Sequence, residues 1–337
     1  MKSTTVVTKD FLERISDPNS RYHSEYLAYQ GREITLAELI NRLPHIAMIG
    51  DSVSRGAYVS TPWKTVWRAR IRRNSNWFLN VDSTNDIESV SKRLEKITPL
   101  VAYHHAGMGA MVDDADYPLW LSRRILGTQN FSGQIKQLTK AKRFPDLILI
   151  SIGHNNVDWA WRSPPEELAR PDARLRRMSE SFRRVFQSRL RSLIEHALNW
   201  QRRTAIIVFG LIGFETYFKG RAEVERLRAA DSNLYPHLDT TYRYLISFRP
   251  DYRDNVIRLA EMVNDELRMM VDEFNRELAP NENLQLRYSD ALAKTDLSRP
   301  ELFHEIDGWH ASAKGHNVLA EAAFRDLGPS LKFLEIG

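Results

Sequence analysis

The chain has 337 residues, of which 42% are hydrophobic and 27% are charged, and its formal net charge is +5. This composition is that of a globular protein rather than a disordered or fibrous one, and the length suits one large α/β domain or two smaller ones. The absence of cysteine excludes disulfides, cysteine nucleophiles and thiolate metal sites.

The N-terminal residues contain no long apolar core and so do not resemble a signal peptide. We therefore expect a cytoplasmic protein, with export by another route left open. Residues 1–44 form an N-terminal extension, in which Thr35 and Glu38 fit a capping box and predict the start of a helix that packs on the domain. Residues 45–337 are expected to form a single domain.

Five short apolar segments have the composition of strands that are covered on both faces. They are residues 45–50, 100–105, 146–152, 204–213 and 284–289. The longest apolar run, 205–214, is too short to span a bilayer as a helix, so no transmembrane segment is expected.

Helical patterns separate and follow these strands. They lie near residues 62–73, 130–143, 175–201, 218–232, 252–278 and 312–334. Because strand and helix alternate, the expected fold is α/β with a parallel sheet and right-handed crossovers. Two segments that contain prolines and aromatics, 162–174 and 232–252, interrupt the pattern and are predicted to be loops of the same domain.

Chemically reactive residue types follow four of the predicted strands. Asp51 and Ser52 come directly after the first strand, and the glycine-rich turn 104–111 follows the second. Residues 153–159, GHNNVDW, follow the third strand, and residues 307–324 lie beyond the fifth. Because ligands bind outside the carboxyl ends of parallel strands, these residues are expected to meet at one edge of the sheet.

Acyl transfer through serine needs a hydroxyl, a base, a group that orients the base, and hydrogen-bond donors for the oxyanion. The spacing of three residues between Asp307 and His310 lets the two side chains meet within one turn. The carboxylate can then hold the Nδ1–H group of His310 and leave Nε2 facing Ser52. Glycine N–H groups and an asparagine amide are suitable oxyanion donors, each worth about 3 kcal/mol of barrier.

Taken together, these segments resemble the four sequence blocks of the SGNH (GDSL-type) hydrolases, a family of esterases, lipases and acyl-ester deacylases. The matching blocks are Gly50-Asp51-Ser52, Gly109, Gly153-His154-Asn155-Asn156 and Asp307-Gly308-Trp309-His310, in order over residues 45–325. The resemblance implies a three-layer α/β/α, flavodoxin-like fold with a five-stranded parallel sheet in the order 2-1-3-4-5.

The resemblance also implies a role for each matching residue. Ser52 is the nucleophile, His310 the base and Asp307 the residue that orients it. The oxyanion hole consists of the N–H groups of Ser52 and Gly109 and the side-chain amide of Asn155.

Two positions of the second and third blocks leave questions open. Gly107 is an alternative to Gly109 as the oxyanion glycine. Asn156 stands where the family usually has an aspartate, which bears on how Asn155 is supported.

Further residues near these blocks are candidates for the substrate pocket, namely Asp51, His154 and Trp309. The histidines at 104, 105, 154 and 316 match no standard zinc spacing, so we expect no metal site. Acyl transfer through serine needs no cofactor, and none is expected.

The segment 162–203 is strongly basic, with 11 arginines and five acidic residues. Its apolar residues recur at helical spacing, which favours a helix with a solvated basic face. The alternative is a surface for an anionic substrate, carrier or other anionic partner.

The sequence therefore predicts a serine esterase that acts on a small-molecule or glycan ester through an acyl-enzyme. The first alternative is a carbohydrate O-acyl esterase or O-acyltransferase, because GDSVSR followed by DGWH is also similar to the arrangement in polysaccharide acetylation enzymes. The second is a non-catalytic module on a hydrolase fold that binds an anionic partner through 162–203. Acyl length, the preferred acceptor and the oligomeric state stay open.

Overall fold

A computed structural model of the chain describes residues 4–55, 75–80, 86–107, 109–112, 130–157, 166, 169–200, 202–238, 250–278 and 281–336. In this part of the chain a six-stranded sheet has the spatial order β1-β3-β2-β4-β5-β6. Its strands are β1 (Thr4–Val7), β2 (His45–Gly50), β3 (Val101–His104), β4 (Leu147–Ser151), β5 (Thr204–Phe209) and β6 (Leu284–Ser289).

The five predicted strands correspond to β2–β6, and all of them pair in parallel. Their spatial order is 2-1-3-4-5 in the predicted numbering, so the α/β fold and the strand order are confirmed. Every residue of β2, β4 and β5 is buried, which explains why these segments read as unbroken apolar runs. β6 is only partly buried because it lies at an edge of the sheet.

The strand β1 is an addition that the sequence did not predict. It pairs antiparallel with β3, from Thr4 opposite His104 to Val7 opposite Val101, and forms the other edge of the sheet. Four residues with the composition TTVV are too short to give a strand pattern.

Helices connect and cover the strands. They are α1 (Phe11–Ser16), α2 (His23–Gln30), α3 (Leu36–Arg42), α4 (Ser52–Arg55), α5 (Val90–Glu95), α6 (Phe131–Thr139), α7 (His154–Val157), α8 (Pro171–Asn199), α9 (Phe214–Ala230), α10 (Arg253–Leu278), α11 (Ala313–Asp326) and α12 (Gly328–Phe333). α8 packs against α6 and α10, and α5 packs against α11. No helix in the described ranges is both long and apolar enough to cross a membrane.

The helices differ from the sequence prediction at several points. The predicted helix 312–334 is divided into α11 and α12, because Pro329 cannot continue the hydrogen bonding of the preceding turn. α8 and α9 each begin four residues before the predicted start. The predicted helix 62–73 lies outside the described residues, as do parts of the loops 162–174 and 232–252.

The N-terminal extension contributes more than the single predicted helix. Its capping box is present, since Thr35 accepts the N–H of Glu38 and Glu38 accepts the N–H of Thr35. α1–α3 enclose a small apolar cluster that also includes Val101 of β3. The extension thus adds an edge strand and a helical cover to the β3 side of the sheet.

Candidate active site

Ser52 lies at the turn from β2 into α4, where the chain leaves the carboxyl end of the sheet. Gly50 allows this turn to pass close to β4: a Cβ at this position would lie 2.5 Å from the Ser151 carbonyl oxygen. Ser52 is 8% exposed. The local sequence therefore places the hydroxyl at the edge of the sheet without exposing it broadly to solvent.

Asp307 holds His310 through several hydrogen bonds. Its Oδ2 atom lies 2.6 Å from Nδ1 of His310, and its Oδ1 atom accepts the backbone N–H groups of Trp309 at 2.9 Å and His310 at 3.1 Å. Asp307 is buried, with 5% exposure. With Nδ1–H donated to the carboxylate, Nε2 is the nitrogen that can accept a proton.

The carboxyl group of Asp307 is ionised despite its burial. Burial alone would raise its pKa, but the His310 ring, His304 and the N–H of Trp309 lower it, and the net pKa is below the usual value. A buried carboxylate of this kind stabilises the imidazolium that forms when His310 takes a proton.

A buried arginine supports the loop that carries Asp307 and His310. Gly308 in this loop has a φ of +57°, a left-handed conformation that favours glycine. Its carbonyl accepts a hydrogen bond of 2.5 Å from Nη1 of Arg221, a fully buried side chain of α9. Arg221 also lies 3.4 Å from Glu225, which in turn pairs with Arg253 at 2.5 Å.

The two candidate glycines of the second block differ in their backbone environment. The N–H of Gly107 donates to the Gly50 carbonyl at 2.9 Å, so that donor is occupied. Gly109 has a left-handed φ of 63°. The amide of Asn155, in α7, donates to the Ala110 carbonyl at 2.9 Å, which uses one of its two N–H groups and ties it to the same turn.

With this geometry established, the sequence also identifies a family. The model of the GDSL-like Lipase/Acylhydrolase family matches residues 46–323. The chain belongs to this family. The match spans all four blocks and confirms the resemblance inferred from them.

No curated protein matches the chain significantly. Among solved structures, a phospholipase A1 from Streptomyces albidoflavus NA297 is 12% identical, with 84% of this chain and 98% of that chain covered and a TM-score of 0.47. A family two carbohydrate esterase from Clostridium thermocellum is 12% identical, with 86% of this chain and 65% of that chain covered and a TM-score of 0.41. The salicylyl-acyltransferase SsfX3 from a tetracycline biosynthetic pathway is 15% identical, with 88% of this chain and 56% of that chain covered and a TM-score of 0.40. Likenesses this distant carry no argument about the substrate.

The residue that departs from the family's third block is accommodated by its surroundings. Asn156 is fully buried, and its Oδ1 atom accepts the N–H of Val112 at 3.0 Å. An amide oxygen accepts this bond as a carboxylate would, without adding a buried charge. The hydrogen bond between Asn156 and Val112 therefore connects the segment that carries Asn155 to the residues that follow the second block.

Asp51 connects the turns after β2 and β4. Its Oδ2 atom accepts the N–H groups of Gly153 and His154 at 3.2 Å and contacts Nδ1 of His154 at 2.8 Å. Nε2 of His154 accepts the N–H of Ile212 at 3.2 Å, so the ring carries its proton on Nδ1. Asp51 is fully buried and does not line the cavity beside Ser52.

A cavity of about 40 Å³ adjoins Ser52 and His310. Two of the predicted pocket residues, His154 and Trp309, line it. The sequence did not predict most of the residues that line this cavity, because they come from separate segments whose apolar patterns are those of ordinary core residues. The missed residues are Val53, Ile212, Phe214, Tyr217, Leu297, Leu302, Phe303, Ala311, His316 and Leu319.

Two other histidines that follow the second predicted strand, His104 and His105, form hydrogen bonds within the protein. A ring nitrogen of His104 lies 3.0 Å from the Ser54 carbonyl oxygen, and one of His105 lies 3.0 Å from Gln137. Burial lowers the pKa of His105 despite this bond. The described residues include no group of three or more histidines and acids that could hold a metal ion.

All of α8 lies within the basic segment 162–203, and acidic residues of α10 balance part of its charge. Arg183 pairs with Glu266 at 2.8 Å and with Glu273 at 2.5 Å. Arg191 pairs with Glu277 at 2.8 Å. These ion pairs join α8 to α10 and neutralise part of the basic charge of α8.

Proposed function

We propose that the protein is a serine esterase that releases or transfers an acyl group through an acyl-enzyme. The observation that carries this proposal is the 2.6 Å contact between Asp307 and His310, together with the cavity that His310 shares with Ser52. A serine, a histidine and an ionised carboxylate are the groups that nucleophilic acyl transfer requires.

The proposed reaction begins when Oγ of Ser52 attacks the ester carbonyl and His310 accepts its proton. The negative charge that develops on the carbonyl oxygen is stabilised by the N–H groups of Ser52 and Gly109 and the amide of Asn155. The intermediate collapses as the bond to the alcohol breaks, and His310 protonates the departing oxygen. Water, or a second alcohol in a transfer reaction, then attacks the acyl-enzyme with His310 again as the base.

The non-catalytic alternative has less support. It relies on the arginines of α8 as a binding surface, but Arg183 and Arg191 are already paired with acids of α10. No contact in the described structure favours a glycan over another ester, so the alcohol portion stays open between these classes.

The direct test is hydrolysis of p-nitrophenyl acetate, butanoate and octanoate by the wild-type protein and by Ser52→Ala. We expect hydrolysis by the wild type and a loss of at least about 1,000-fold in the variant, because no nucleophile remains. Ser24→Ala, a change at an exposed serine of α2, serves as the matched control and should retain full activity. Equal rates for wild type and Ser52→Ala would refute the proposal.

A further inference from the structure

The cavity beside Ser52 contains a polar side chain that the proposed mechanism does not use. His316 lies in the first turns of α11, is 1% exposed, and lines the cavity together with Ser52 and His310. Neither of its ring nitrogens has a hydrogen-bond partner in the part of the chain that the structure describes. Buried polar groups are nearly always paired, and an unpaired one costs about 1–3 kcal/mol.

The other polar side chains in the cavity wall are engaged. The hydroxyl of Tyr217 donates to the Trp309 carbonyl at 3.1 Å, and both ring nitrogens of His154 are hydrogen-bonded. Apart from Ser52, His310 and the indole N–H of Trp309, the remainder of the wall is apolar. His316 is therefore a polar side chain of this wall whose nitrogens are buried and lack a partner in the described structure, and a small turn of its ring toward the cavity would let it pair with a bound molecule.

The state of His316 defines which ligand groups suit it. Burial, followed by the nearby His310 and His304 rings, lowers its pKa to about 3, so the imidazole is neutral at physiological pH. A neutral imidazole offers one N–H donor and one acceptor nitrogen. A hydroxyl group, which also donates and accepts, matches this pair. A carboxylate or ammonium group would lose its hydration in an apolar wall with no opposite charge.

The size and position of the cavity indicate which part of the ester it holds. A volume of about 40 Å³ accommodates about three water-sized groups. The acyl group stays bonded to Ser52 after the alcohol has left, and Ser52 itself forms part of the wall. A small cavity in contact with the nucleophile therefore suits a short acyl chain.

We propose that this cavity is an acyl subsite for short hydroxyacyl groups, with His316 as the hydrogen-bond partner of the hydroxyl. The inference rests on the proposed function and adds a substrate class to it. His316 acts here in specificity and takes no part in the proton transfers of the triad.

The test compares two p-nitrophenyl esters with acyl groups of equal length, butanoate and 3-hydroxypropanoate, which differ in a terminal methyl or hydroxyl. The kcat/KM ratio of the two esters is corrected by their uncatalysed hydrolysis rates and measured for wild type, His316→Leu and His196→Leu. His196 lies far along the sequence, in α8 against Phe144, and provides the matched histidine-to-leucine control.

We expect the wild type to prefer the hydroxy ester and His316→Leu to lower the corrected ratio by about tenfold or more. His196→Leu should leave the ratio unchanged. The Tm of His316→Leu should equal or exceed that of the wild type, because the substitution removes an unpaired buried polar group. A purely structural role for His316 would instead lower Tm and leave the ratio unchanged.

A corrected ratio that is the same in wild type and His316→Leu would overturn the subsite and leave the esterase proposal intact. Labelling of Ser52 by a fluorophosphonate with no hydrolysis of either ester would likewise overturn the subsite and leave the esterase proposal intact. Failure of both labelling and hydrolysis would overturn the proposed function together with the subsite.

Discussion

At the scale of single residues, the geometry assigns separate tasks to two carboxylates. Asp307 holds His310, the proposed base, whereas Asp51 joins two backbone turns and His154. Both carboxylates are buried, and the histidines that they contact both line the cavity beside Ser52. Nε2 of His154, however, already accepts the N–H of Ile212. The two carboxylates therefore differ in the histidine that each one contacts, which is His310 for Asp307 and His154 for Asp51.

This assignment predicts the effect of Asp307→Asn. The amide preserves shape but can stabilise the wrong tautomer of His310 and does not balance the imidazolium charge. We expect kcat to fall by about 10⁴-fold at neutral pH with little change in KM. Steady-state kinetics on p-nitrophenyl butanoate, with circular dichroism as a control for folding, would measure this. A loss of less than tenfold would mean that Asp307 does not orient the base.

The sequence indicated some of these residues and could not indicate others. Ser52, Asp307 and His310 belong to short motifs whose members are near neighbours in the chain, so the sequence alone was enough to propose them as catalytic residues. His316 and Arg221 belong to helices in which the sequence does not distinguish a buried histidine or arginine from an exposed one. Only the packing of α9 and α11 against the loop around Gly308 and the cavity reveals them.

At the scale of elements, the site depends on how α9 supports the loop between β6 and α11. Arg221 is fully buried and bonds to the Gly308 carbonyl, between Asp307 and His310 in the chain. The loop also closes on itself, since the N–H of His304 donates to the His310 carbonyl at 2.8 Å. The arginine thus fixes the backbone that carries His310, the proposed base.

Arg221→Met should therefore reduce catalysis more than substrate binding. The change keeps much of the apolar volume but removes the donor to Gly308, and a small displacement of a catalytic group can cost about 100-fold in rate. We expect kcat to fall by about 10- to 100-fold and KM to change little, with partial recovery in Arg221→Lys. Arg226→Met, at a 66% exposed side chain of the same helix, is the matched control and should behave as wild type.

Elements were predictable where their patterns are long and regular. The buried strands β2, β4 and β5 were identified because a continuous apolar run is what two covered faces require. The sequence did not predict β1, because a four-residue strand at the edge of a sheet is too short to show a hydrophobic pattern. The division between α11 and α12 follows from Pro329, a local signal that the helical periodicity on both sides obscured.

At the scale of the whole molecule, two buried neutral histidines make stability depend on pH. Burial lowers the pKa of His316 to about 3 and that of His45 to about 4, from an ordinary value of 6.5. Between these values and 6.5 the unfolded chain binds protons that the folded protein does not. The free energy of unfolding is therefore highest above pH 6.5 and declines as the pH falls toward 4.

Urea unfolding at pH 7, 6 and 5 would measure this decline in the wild type and in His316→Leu. Each proton contributes a slope of up to about 1.4 kcal/mol per pH unit, so the variant should show a slope smaller by about that amount. His196→Leu, run in parallel, shows whether loss of any histidine has the same effect. Identical slopes in wild type and His316→Leu would contradict the neutral, buried state of His316.

The measurement that tests the central claim most directly is the mass of a trapped acyl-enzyme. Wild-type protein mixed with p-nitrophenyl butanoate and quenched in acid within the first turnover should gain one butanoyl group per chain. Peptide mapping should place that group on Ser52, and Ser52→Ala should gain none. Hydrolysis without any covalent adduct, or an adduct on another residue, would contradict the mechanism built on Ser52, His310 and Asp307.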